Sequence, residues 1–417
     1  MRIGYACIAL AVEGTELKSC IMKNASPERL LSLVSHNLHS LSAMIDYNIR
    51  NNILLYRISS DLVPFGSSLA KDLPWEAENE PLLCSIREKI AASGMRVSMH
   101  PGQYTVLSSP DAGVVRRSVE DLHYHARVLE SLAPGREHKI VLHGGGKYGD
   151  TPSAMRRFAS SFRDLDDSVT RRLVLENDGS IYTIAEVLEL AASIGAPVIY
   201  DNLHNALNPV DKTKDETYWI AQAAPTWSAA DGPQKLHYSQ QHPVKTRGAH
   251  SDFIAIDPFL EFCHRLSDPS VDIMLEVKDK NLSALKCILC TSPHPVTALE
   301  AEWARYKYSV LEKSPSAYQE IRELLKNKRA DSALAFYHLV EEALTLNEDA
   351  GRAENALEHV WGYFTNLATP AEQARYRKKL SCYLEGTCSL AQVKNTLRSL
   401  AAAYKITYLT DSYFFTI

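Results

Sequence analysis

Residues 173–201, LVLENDGSIYTIAEVLELAASIGAPVIYD, contain the pattern that decides the fold. Two short apolar runs, LVLE at 173–176 and VIYD at 198–201, flank a stretch at 183–195 whose apolar residues recur at helical spacing. This order predicts a strand, a helix and a second strand. Each run ends in a carboxylate, Glu176 in the first and Asp201 in the second.

Four further apolar runs end in, or next to, residues of the same chemical kind. They are VSMH at 97–100, IVLH at 140–143, KLHY at 235–238 and IMLE at 273–276. When parallel strands close into a barrel, the residues that follow the strands converge at one mouth, where such barrels hold their chemistry. Three imidazoles and three carboxylates would meet there and bind divalent metals: His100, His143, Glu176, Asp201, His237 and Glu276.

The alternation of strand and helix extends over the first 290 residues and predicts the fold class. Eight strands in about 280 residues match an α/β fold of the (β/α)₈ TIM-barrel type in count and size. An open doubly wound sheet is the alternative, but it rarely needs eight regular repeats. The predicted strands are 2–8, 53–59, 96–100, 138–143, 172–176, 197–201, 235–239 and 271–276, and the predicted helices between them include 27–51, 77–94, 114–132, 153–170 and 183–195.

The pattern changes after Glu276. The segment 278–300, KDKNLSALKCILCTSPHPVTALE, contains two prolines and predicts a domain boundary near 290–297. We therefore expect a TIM-barrel domain over 1–290 and an all-α domain over 295–417. The predicted helices of the second domain are 297–312, 315–328, 331–346, 352–367, 370–384 and 389–404.

Composition excludes some classes of protein and leaves the partner open. The chain has 417 residues, 45% hydrophobic and 23% charged, and no apolar run long enough for a membrane span. Eight cysteines and a start, MRIGYACIAL, that lacks a signal-peptide pattern predict reduced thiols and a cytoplasmic location. The net charge of −5 gives no basic footprint for nucleic acid, although bound cations would reverse the charge locally.

Two more histidines are placed to join the predicted metal centre. His204 lies three residues after Asp201, and His250 lies in the loop that follows the seventh strand. Eight ligands suit three metals rather than one, since a single zinc needs only three or four. One histidine at a strand end is more often a satisfied polar residue, but six such positions on successive strands argue for a common site.

Other motifs surround the predicted mouth. SMHPGQYTV at 98–106 carries Gln103 and Tyr104, an amide and an aromatic that could stack on or wedge between bases, or form an ordinary turn. HGGGKYGD at 143–150 resembles a phosphate-cradling glycine loop without P-loop spacing. Lys245 and Arg247 could hold a phosphate, and the lone Cys287-x-x-Cys290 is a weak zinc signal.

Lys235 precedes His237 by two residues, so both side chains point to the same side of the seventh strand. A lysine directed into a barrel mouth is costly unless it is paired or modified to carry a negative charge. We therefore expect Lys235 to have a charged partner or to be modified.

Together these motifs resemble the UV damage endonucleases, (β/α)₈ repair enzymes that nick DNA 5′ to ultraviolet photoproducts and often to abasic sites. The resemblance covers roughly residues 1–285. The stretches that carry it are GYAC at 4–7, LYRISSDLVPFGS at 55–67, HPGQY at 100–104, LHGGGKYGD at 142–150, LENDG at 175–179, DNLHNALNP at 201–209, KLH at 235–237, GAH at 248–250 and LEVKDK at 275–280.

The resemblance implies a metal centre and a DNA-contacting set. Two or three divalent metals are implied, with Mn²⁺ expected and Zn²⁺, Mg²⁺ or Co²⁺ as alternatives, and Glu176 would bridge two of them. Lys235 matches a lysine that can be carboxylated. The implied ligands are His100, His143, Glu176, Asp201, His204, His237, His250 and Glu276; the implied catalytic residues are Glu176, His237, Lys235 and His143; the DNA-contacting residues are Gln103, Tyr104, Tyr5, Lys245 and Arg247.

The expected partner is UV-damaged double-stranded DNA, which would bring a cytoplasmic protein to the nucleoid. The chain departs from the family in two places: Ser68 stands where a histidine is usual, and Ile8 and Ala9 stand where an asparagine is common. A metal-dependent sugar isomerase or epimerase and a damage-binding protein with little catalysis are the alternatives. For the helical extension, a DNA clamp and simple helix packing are both open, with the candidate patch at Trp303, Arg305, Tyr306, Lys307 and Tyr308.

Overall fold

The computed structural model of the protein describes residues 1–326 and 332–417. The described chain forms two compact units. The first unit comprises Met1–Ala9, Gly14–Ile254 and Pro258–Leu285, and the second comprises Leu10–Glu13, Ala255–Asp257 and Lys286–Ile417.

The first unit is a closed barrel of eight parallel strands in sequential order, which confirms the predicted TIM barrel. The barrel closes where β1 pairs with β8, with Ile3 opposite Ile273. The strands are β1 Ile3–Cys7, β2 Leu55–Ile58, β3 Arg96–Met99, β4 Lys139–His143, β5 Leu173–Glu176, β6 Val198–Asp201, β7 Lys235–Tyr238 and β8 Asp272–Leu275.

Helices connect the strands, and several begin as the sequence indicates. The Ser26 hydroxyl accepts from the backbone N–H of Arg29 and Pro27 takes the first helical position. Thr183 and Glu186 form a capping box. The bounds are α1 Pro27–Arg50, α2 Trp75–Glu78, α3 Glu80–Ser93, α4 Ala112–Leu132, α5 Thr151–Arg163, α6 Asp167–Thr170, α7 Ile184–Ile194, α8 Asn202–Leu207, α9 Glu216–Ala223, α10 Ile256–Arg265 and α11 Asn281–Thr291.

Two predictions for these connections need correction. The helix predicted over 153–170 is broken, because α5 ends at Arg163 and α6 begins only at Asp167. The segment 278–300, expected to connect the two domains, contains helix α11, which includes both Cys287 and Cys290. Neither cysteine belongs to a metal-competent group among the described residues.

Side chains alternate between the barrel interior and the surrounding helices, as the strand period of two requires. On β7, Tyr238 packs outward against the rings of Phe259 and Phe262 at 5.2 Å and 4.7 Å. Residues two positions before the predicted ligands of β4, β5 and β6 fill the barrel in one apolar layer; they are Val141, Val174 and Ile199. The predicted ligands therefore lie above a packed apolar layer.

Below that layer, charged residues join the first and last strands. Asp272, at the start of β8, accepts from the Arg2 backbone N–H at 3.2 Å. Its carboxylate also pairs with the guanidinium groups of Arg2 and Arg96. Asp272 has no exposed surface, so these contacts satisfy a buried charge at the seam of the barrel.

The second unit is helical in its described part. Its core contains a stacked pair, Trp361 and Tyr376, with ring centroids 4.3 Å apart. Buried Glu302 pairs with Arg305 and accepts from the hydroxyls of Tyr337 and Tyr413. The helices are α12 Val296–Lys313, α13 Pro315–Lys326, α14 Ala333–Thr345, α15 Ala350–Trp361, α16 Pro370–Leu384, α17 Leu390–Ala403 and α18 Thr407–Thr410.

Two sets of predictions for this unit differ from the structure or fall outside its described residues. The ends of the helices predicted over 315–328 and 331–346 fall on 327–331, outside the described residues. The helix predicted over 352–367 ends early, at Trp361. Turns follow it, in which the Phe364 N–H donates to the Trp361 carbonyl and the Ala368 N–H donates to the Phe364 carbonyl. No helix of the described chain is both long and apolar enough to cross a membrane.

The candidate patch of residues 303–308 does not form as predicted. Tyr306 and Tyr308 are buried, and Arg305 is engaged with Glu302. A helix with a 3.6-residue period cannot turn all five of the candidate residues between 303 and 308 to one face. For these two tyrosines, the helix-packing interpretation is correct.

Candidate metal centre at the barrel mouth

The C-terminal ends of the strands place the six predicted residues around one point. His143, Glu176 and Asp201 are the last residues of β4, β5 and β6, and His100 and Glu276 directly follow β3 and β8. The sixth, His237, lies within β7, opposite Asp201 of β6.

Glu176 is the centre of the cluster. Its Oε1 accepts from His237 Nδ1 at 2.8 Å, and its Oε2 lies 3.0 Å from His100 Nε2. Two more imidazoles approach it, with His204 Nδ1 at 3.6 Å from Oε1 and His143 Nε2 at 3.8 Å from Oε2. One buried carboxylate thus faces four histidines.

Three groups of residues have ligand atoms within 4.8 Å of one another, and Glu176 belongs to all three. A carboxylate shared by three such groups can bridge neighbouring cations. The groups are His100–His143–Glu176, Glu176–Asp201–His204 and Glu176–His237–Glu276.

Burial and charge at these residues fit a cation centre. Glu176, Asp201 and His237 have no exposed surface, whereas His100, His143 and His204 are partly open to solvent. A buried carboxylate is expensive to ionise without a positive partner. The arrangement therefore has a buried floor of negative charge and a rim through which a cation can enter.

The pKa values show how crowded the negative charge is. Burial, and then the charges of Glu176 and Glu276, raise the pKa of Asp201 to about 7, against the opposing effect of His204. Burial lowers the pKa of His204, but the carboxylates of Asp201, Glu176 and Glu276 outweigh it and raise the value to about 9. Cations bound among these groups would relieve the repulsion between the carboxylates.

Unpaired buried atoms also fit metal binding. Among the described residues, Asp201 Oδ2, His143 Nδ1 and His237 Nε2 are buried without a hydrogen-bond partner. Buried polar atoms in native proteins are almost always satisfied, so several orphans in one cluster call for a missing partner. The donor set of imidazole nitrogens and carboxylate oxygens suits Mn²⁺ and Zn²⁺ alike.

Backbone carbonyls fix the orientation of two imidazoles. His100 Nδ1 donates to the Pro101 carbonyl oxygen at 3.0 Å, and His204 Nδ1 donates to the Asn177 carbonyl oxygen at 2.9 Å. Each bond uses Nδ1 as the donor, so a cation would bind through Nε2 and displace any second ring proton. Both rings are thereby prepared to act as ligands through Nε2.

Asn177 holds Asp201 from the neighbouring strand end, a contact that the sequence analysis missed. Its Oδ1 accepts from the Asp201 N–H at 2.9 Å, and its Nδ2 donates to the Asp201 carbonyl at 3.1 Å. Asp201 Oδ1 in turn accepts from the His204 N–H at 2.7 Å and caps α8. The signal was present in LENDG, where the amide follows the central carboxylate.

Arg57 is a second missed residue. Its guanidinium forms an ion pair with Glu276, whose Oε1 also lies 3.4 Å from His237 Nδ1. The charges of Arg57 and His237 outweigh burial and keep the pKa of Glu276 well below its usual range. The alternation of side chains on β2 could have identified it. Tyr56 faces outward towards Met44 on α1, so the next residue, Arg57, faces the barrel interior.

His250 stands at the edge of the cluster, with Nε2 at 3.9 Å from Glu276 Oε2. It lies on an ordered loop in which Gln241 and His250 form an antiparallel bridge. The same loop carries Lys245 and Arg247, both exposed. Lys245 pairs with Asp252 at 2.9 Å, and Arg247 donates to the Leu207 carbonyl oxygen at 3.0 Å.

Lys235 is fully buried inside the barrel. Its Nζ has no hydrogen-bond partner among the described residues. Burial, together with the charges of Arg96 and Lys139, lowers its pKa well below the usual range. The environment therefore favours the neutral amine.

The predicted DNA-contacting residues divide into exposed and buried ones. Gln103 and Tyr104 lie on the loop after His100, and Tyr104 is 83% exposed. Tyr5, by contrast, is fully buried and donates to Asn48 Oδ1 at 2.9 Å. The prediction that Tyr5 contacts DNA is wrong, because its ring faces α1 rather than the mouth.

The contacts of the glycine loop and of Ser68 are as follows in the structure: the loop packs closely against its neighbours, and Ser68 is exposed. Gly145 has a φ of +78°, and a Cβ on Gly144 would clash with the Tyr182 ring at 2.7 Å. Lys147 in this loop pairs with Glu186 at 2.6 Å. Ser68 is exposed, and its hydroxyl makes one long contact, 3.4 Å to the Phe65 carbonyl oxygen.

Comparisons with known proteins divide the chain into two parts. Residues 1–307 match a family model described as UV-endonuclease UvdE. Residues 307–417 match a family described as a protein of unknown function, DUF1722.

The UV DNA damage endonuclease of Clostridium perfringens (strain 13 / Type A) is 34% identical over 390 residues, which cover 91% of this chain and 92% of the relative. The enzyme of the same name from Bacillus cereus (strain Q1) is 29% identical over 299 residues, covering 69% and 93% respectively. The crystal structure of SacUVDE matches with a TM-score of 0.65 at 34% identity, covering 69% of this chain and 96% of that one.

Proposed function

The chain belongs to the UV-endonuclease UvdE family and is a DNA repair endonuclease, and from this premise we propose that it nicks double-stranded DNA immediately 5′ to ultraviolet photoproducts. Cyclobutane dimers and 6-4 products are the proposed lesions, with abasic sites as further substrates. The reaction would be a hydrolysis that uses two or three divalent ions, with Mn²⁺ as the proposed metal.

The observation that supports this proposal most directly is the position of Glu176 in all three metal-competent groups. Divalent ions held a few ångströms apart supply an activated water and positive charge for both the phosphate and the leaving 3′-oxygen. The residues proposed to hold them are His100, His143, Glu176, Asp201, His204, His237, His250 and Glu276.

The protein groups have their own roles in this proposal. The carbonyls of Pro101 and Asn177 accept from Nδ1 of His100 and His204 and hold the two rings in orientation. Arg57 holds Glu276 in its ionised form. Ligands that are held in orientation need little rearrangement before the substrate binds, which is the protein's contribution to such sites.

Recognition of the lesion is proposed to rest on deformability. Photoproducts stack weakly, so moving them out of the helix costs less than moving a normal pair of bases. The exposed ring of Tyr104, beside Gln103, is of the right kind to wedge into that gap. Lys245 and Arg247 on the loop before His250 are proposed to contact the DNA backbone.

Lys235 is proposed to be carboxylated. Its Nζ would add to the carbon of CO₂ and lose one proton, which converts the amine to a negatively charged carbamate. Support comes from its complete burial, its lack of a hydrogen-bond partner among the described residues, and the proximity of Arg96 and Arg57 to balance a negative charge. A mass increase of one CO₂ in native mass spectrometry, absent from Lys235→Met, would test it.

The test of the function is a nicking assay on one duplex oligonucleotide with a single cyclobutane dimer. We expect a cut immediately 5′ to the dimer with Mn²⁺, leaving a 3′-hydroxyl and a 5′-phosphate, and none with EDTA or with the undamaged duplex. Binding without a cut would contradict the proposal and favour a damage-binding protein. In that event Ser68→His, which restores the usual family residue, separates loss of catalysis at this position from a different lesion preference.

A further inference from the structure

The described part of the second unit carries an aromatic and basic surface that the barrel function leaves unexplained. We call it the tyrosine patch. Its residues come from four separate segments, α12, α13, the turn after α15, and α18; they are Trp303, Lys307, Tyr318, Arg322, Tyr363 and Tyr408.

Two exposed rings form the centre of the tyrosine patch. Tyr363 and Tyr408 are stacked, with centroids 5.9 Å apart and planes 16° from parallel. They remain 37% and 38% exposed. The Tyr363 hydroxyl is hydrogen-bonded to that of buried Tyr308 at 2.9 Å, which anchors the pair to the core. The rings are held in place but keep surface available for another ring.

The two cations of the patch lie against tyrosine rings. Lys307 Nζ is 4.9 Å from the Tyr308 ring centroid and 5.7 Å from that of Tyr408. The Arg322 guanidinium is 5.8 Å from the Tyr318 centroid. Tyr318 in turn packs against Trp303 at 5.2 Å. Cations and aromatic faces therefore alternate across one surface.

The positive charge of the patch is not neutralised within the described chain. Neither Lys307 nor Arg322 forms an ion pair with a described carboxylate, whereas Arg305, Lys326 and Arg377 of the same unit each pair with a glutamate. Burial, and next the charge of Arg322, lower the pKa of Lys307. Two like charges placed near each other without a counter-charge favour an anionic partner.

We propose that the tyrosine patch binds single-stranded DNA, with bases stacked on Tyr363 and Tyr408 and phosphates held by Lys307 and Arg322. Stacking platforms combined with cations are the usual means of binding single strands without sequence readout. A duplex would hide its base faces from the rings. A proline-rich peptide would also suit exposed aromatic rings, but it gives no reason for two cations that pair with no carboxylate among the described residues. This inference goes beyond the nicking activity and does not depend on it.

The test uses the full chain in EDTA and a fluorescein-labelled oligo-dT of about 12 nucleotides, followed by anisotropy. The double variant Tyr363→Ala/Tyr408→Ala should weaken binding at least about tenfold. Tyr363→Phe/Tyr408→Phe should retain it, because the stacking faces remain. Lys307→Gln/Arg322→Gln should weaken binding and lower the slope of log affinity against log salt by about 1.4.

The matched control is Arg375→Gln/Lys378→Gln, which removes the same charge from exposed positions on α16 of the same unit. It should leave the affinity within about twofold. Unchanged affinity in both patch variants, or an equal loss in the control pair, would overturn the proposal. Tighter binding of oligo-U than of oligo-dT would overturn the choice of DNA and assign the surface to RNA. A retained melting temperature and an unchanged circular-dichroism spectrum establish that each variant is folded.

Discussion

His237 Nδ1 donates to Glu176 Oε1 at 2.8 Å, and this bond joins β7 to β5 across the intervening β6. Both side chains have no exposed surface. The pair therefore lies at the buried base of the candidate metal centre, and the other candidate ligands are arranged around it.

Replacing Glu176 with glutamine should remove most of the bound metal and lower nicking by more than about a hundredfold, because the carboxylate is common to all three groups. The amide preserves the size of the side chain but lacks the charge. Manganese per chain, measured after dialysis, and the nicking rate should fall together. Glu120→Gln, which alters a partly exposed surface ion pair with Lys71, is the matched control. Full metal content in Glu176→Gln would contradict its assignment.

Asn177→Ala should weaken manganese affinity by about 10- to 100-fold through an indirect effect. The side-chain amide holds Asp201 by two hydrogen bonds to its backbone. Its effect on the metal would therefore pass through the position of Asp201. A manganese titration of the purified variant checks this expectation. An affinity equal to that of the parent would mean that Asp201 keeps its position without the amide.

Tyr104→Ala should reduce the preference for damaged over intact duplex by about 5- to 100-fold while cleavage of bound, damaged DNA changes less. The ring is 83% exposed, so its loss has little effect on stability. Tyr104→Trp retains an aromatic wedge and should preserve the preference. Parallel measurements of binding and single-turnover nicking on both duplexes separate the two effects. An unchanged preference in the alanine variant would argue against a wedge.

His138 should make the barrel sensitive to acid. Its Nδ1 accepts from the Val97 N–H at 3.1 Å, so that nitrogen must be unprotonated in the native state. Burial lowers its pKa from 6.5 to about 4. The unfolded chain then binds more protons than the native one between these values, and stability falls as the pH drops from 6.5 to 4, by up to about 3 kcal/mol.

The variant His138→Asn retains an acceptor for Val97 but cannot titrate, so its unfolding free energy should vary less over this pH range. Urea unfolding at several pH values between 4 and 7.5, compared with the parent chain, measures the difference. Parallel pH profiles for the two proteins would show that His138 contributes nothing to acid sensitivity.

The sequence predicted the barrel and its mouth well because both follow from periodicity. The last inward-facing side chain of a parallel strand lies at the mouth, so the positions of His143, Glu176 and Asp201 followed from local pattern. Contacts set by packing between elements were not visible. Tyr5 looked like a site residue, yet the direction of its strand turns it towards α1.

The same distinction explains the second unit. The sequence placed a basic and aromatic patch on consecutive residues, because proximity along the chain was the only distance available. In the structure the exposed surface is assembled from rings far apart in sequence, such as Tyr363 and Tyr408. Only Trp303 and Lys307 belong to both the predicted patch and the observed one.

The seam between β1 and β8 sets the order in which the site can form during synthesis. Arg2 and Asp272 are 270 residues apart, so the first strand has no closing partner until the eighth has left the ribosome. Until then β1 and β7 present open strand edges, which other chains can pair with. Glu276, directly after β8, is the last candidate ligand to be made. A nascent chain therefore holds an incomplete set of candidate ligands until the barrel has closed.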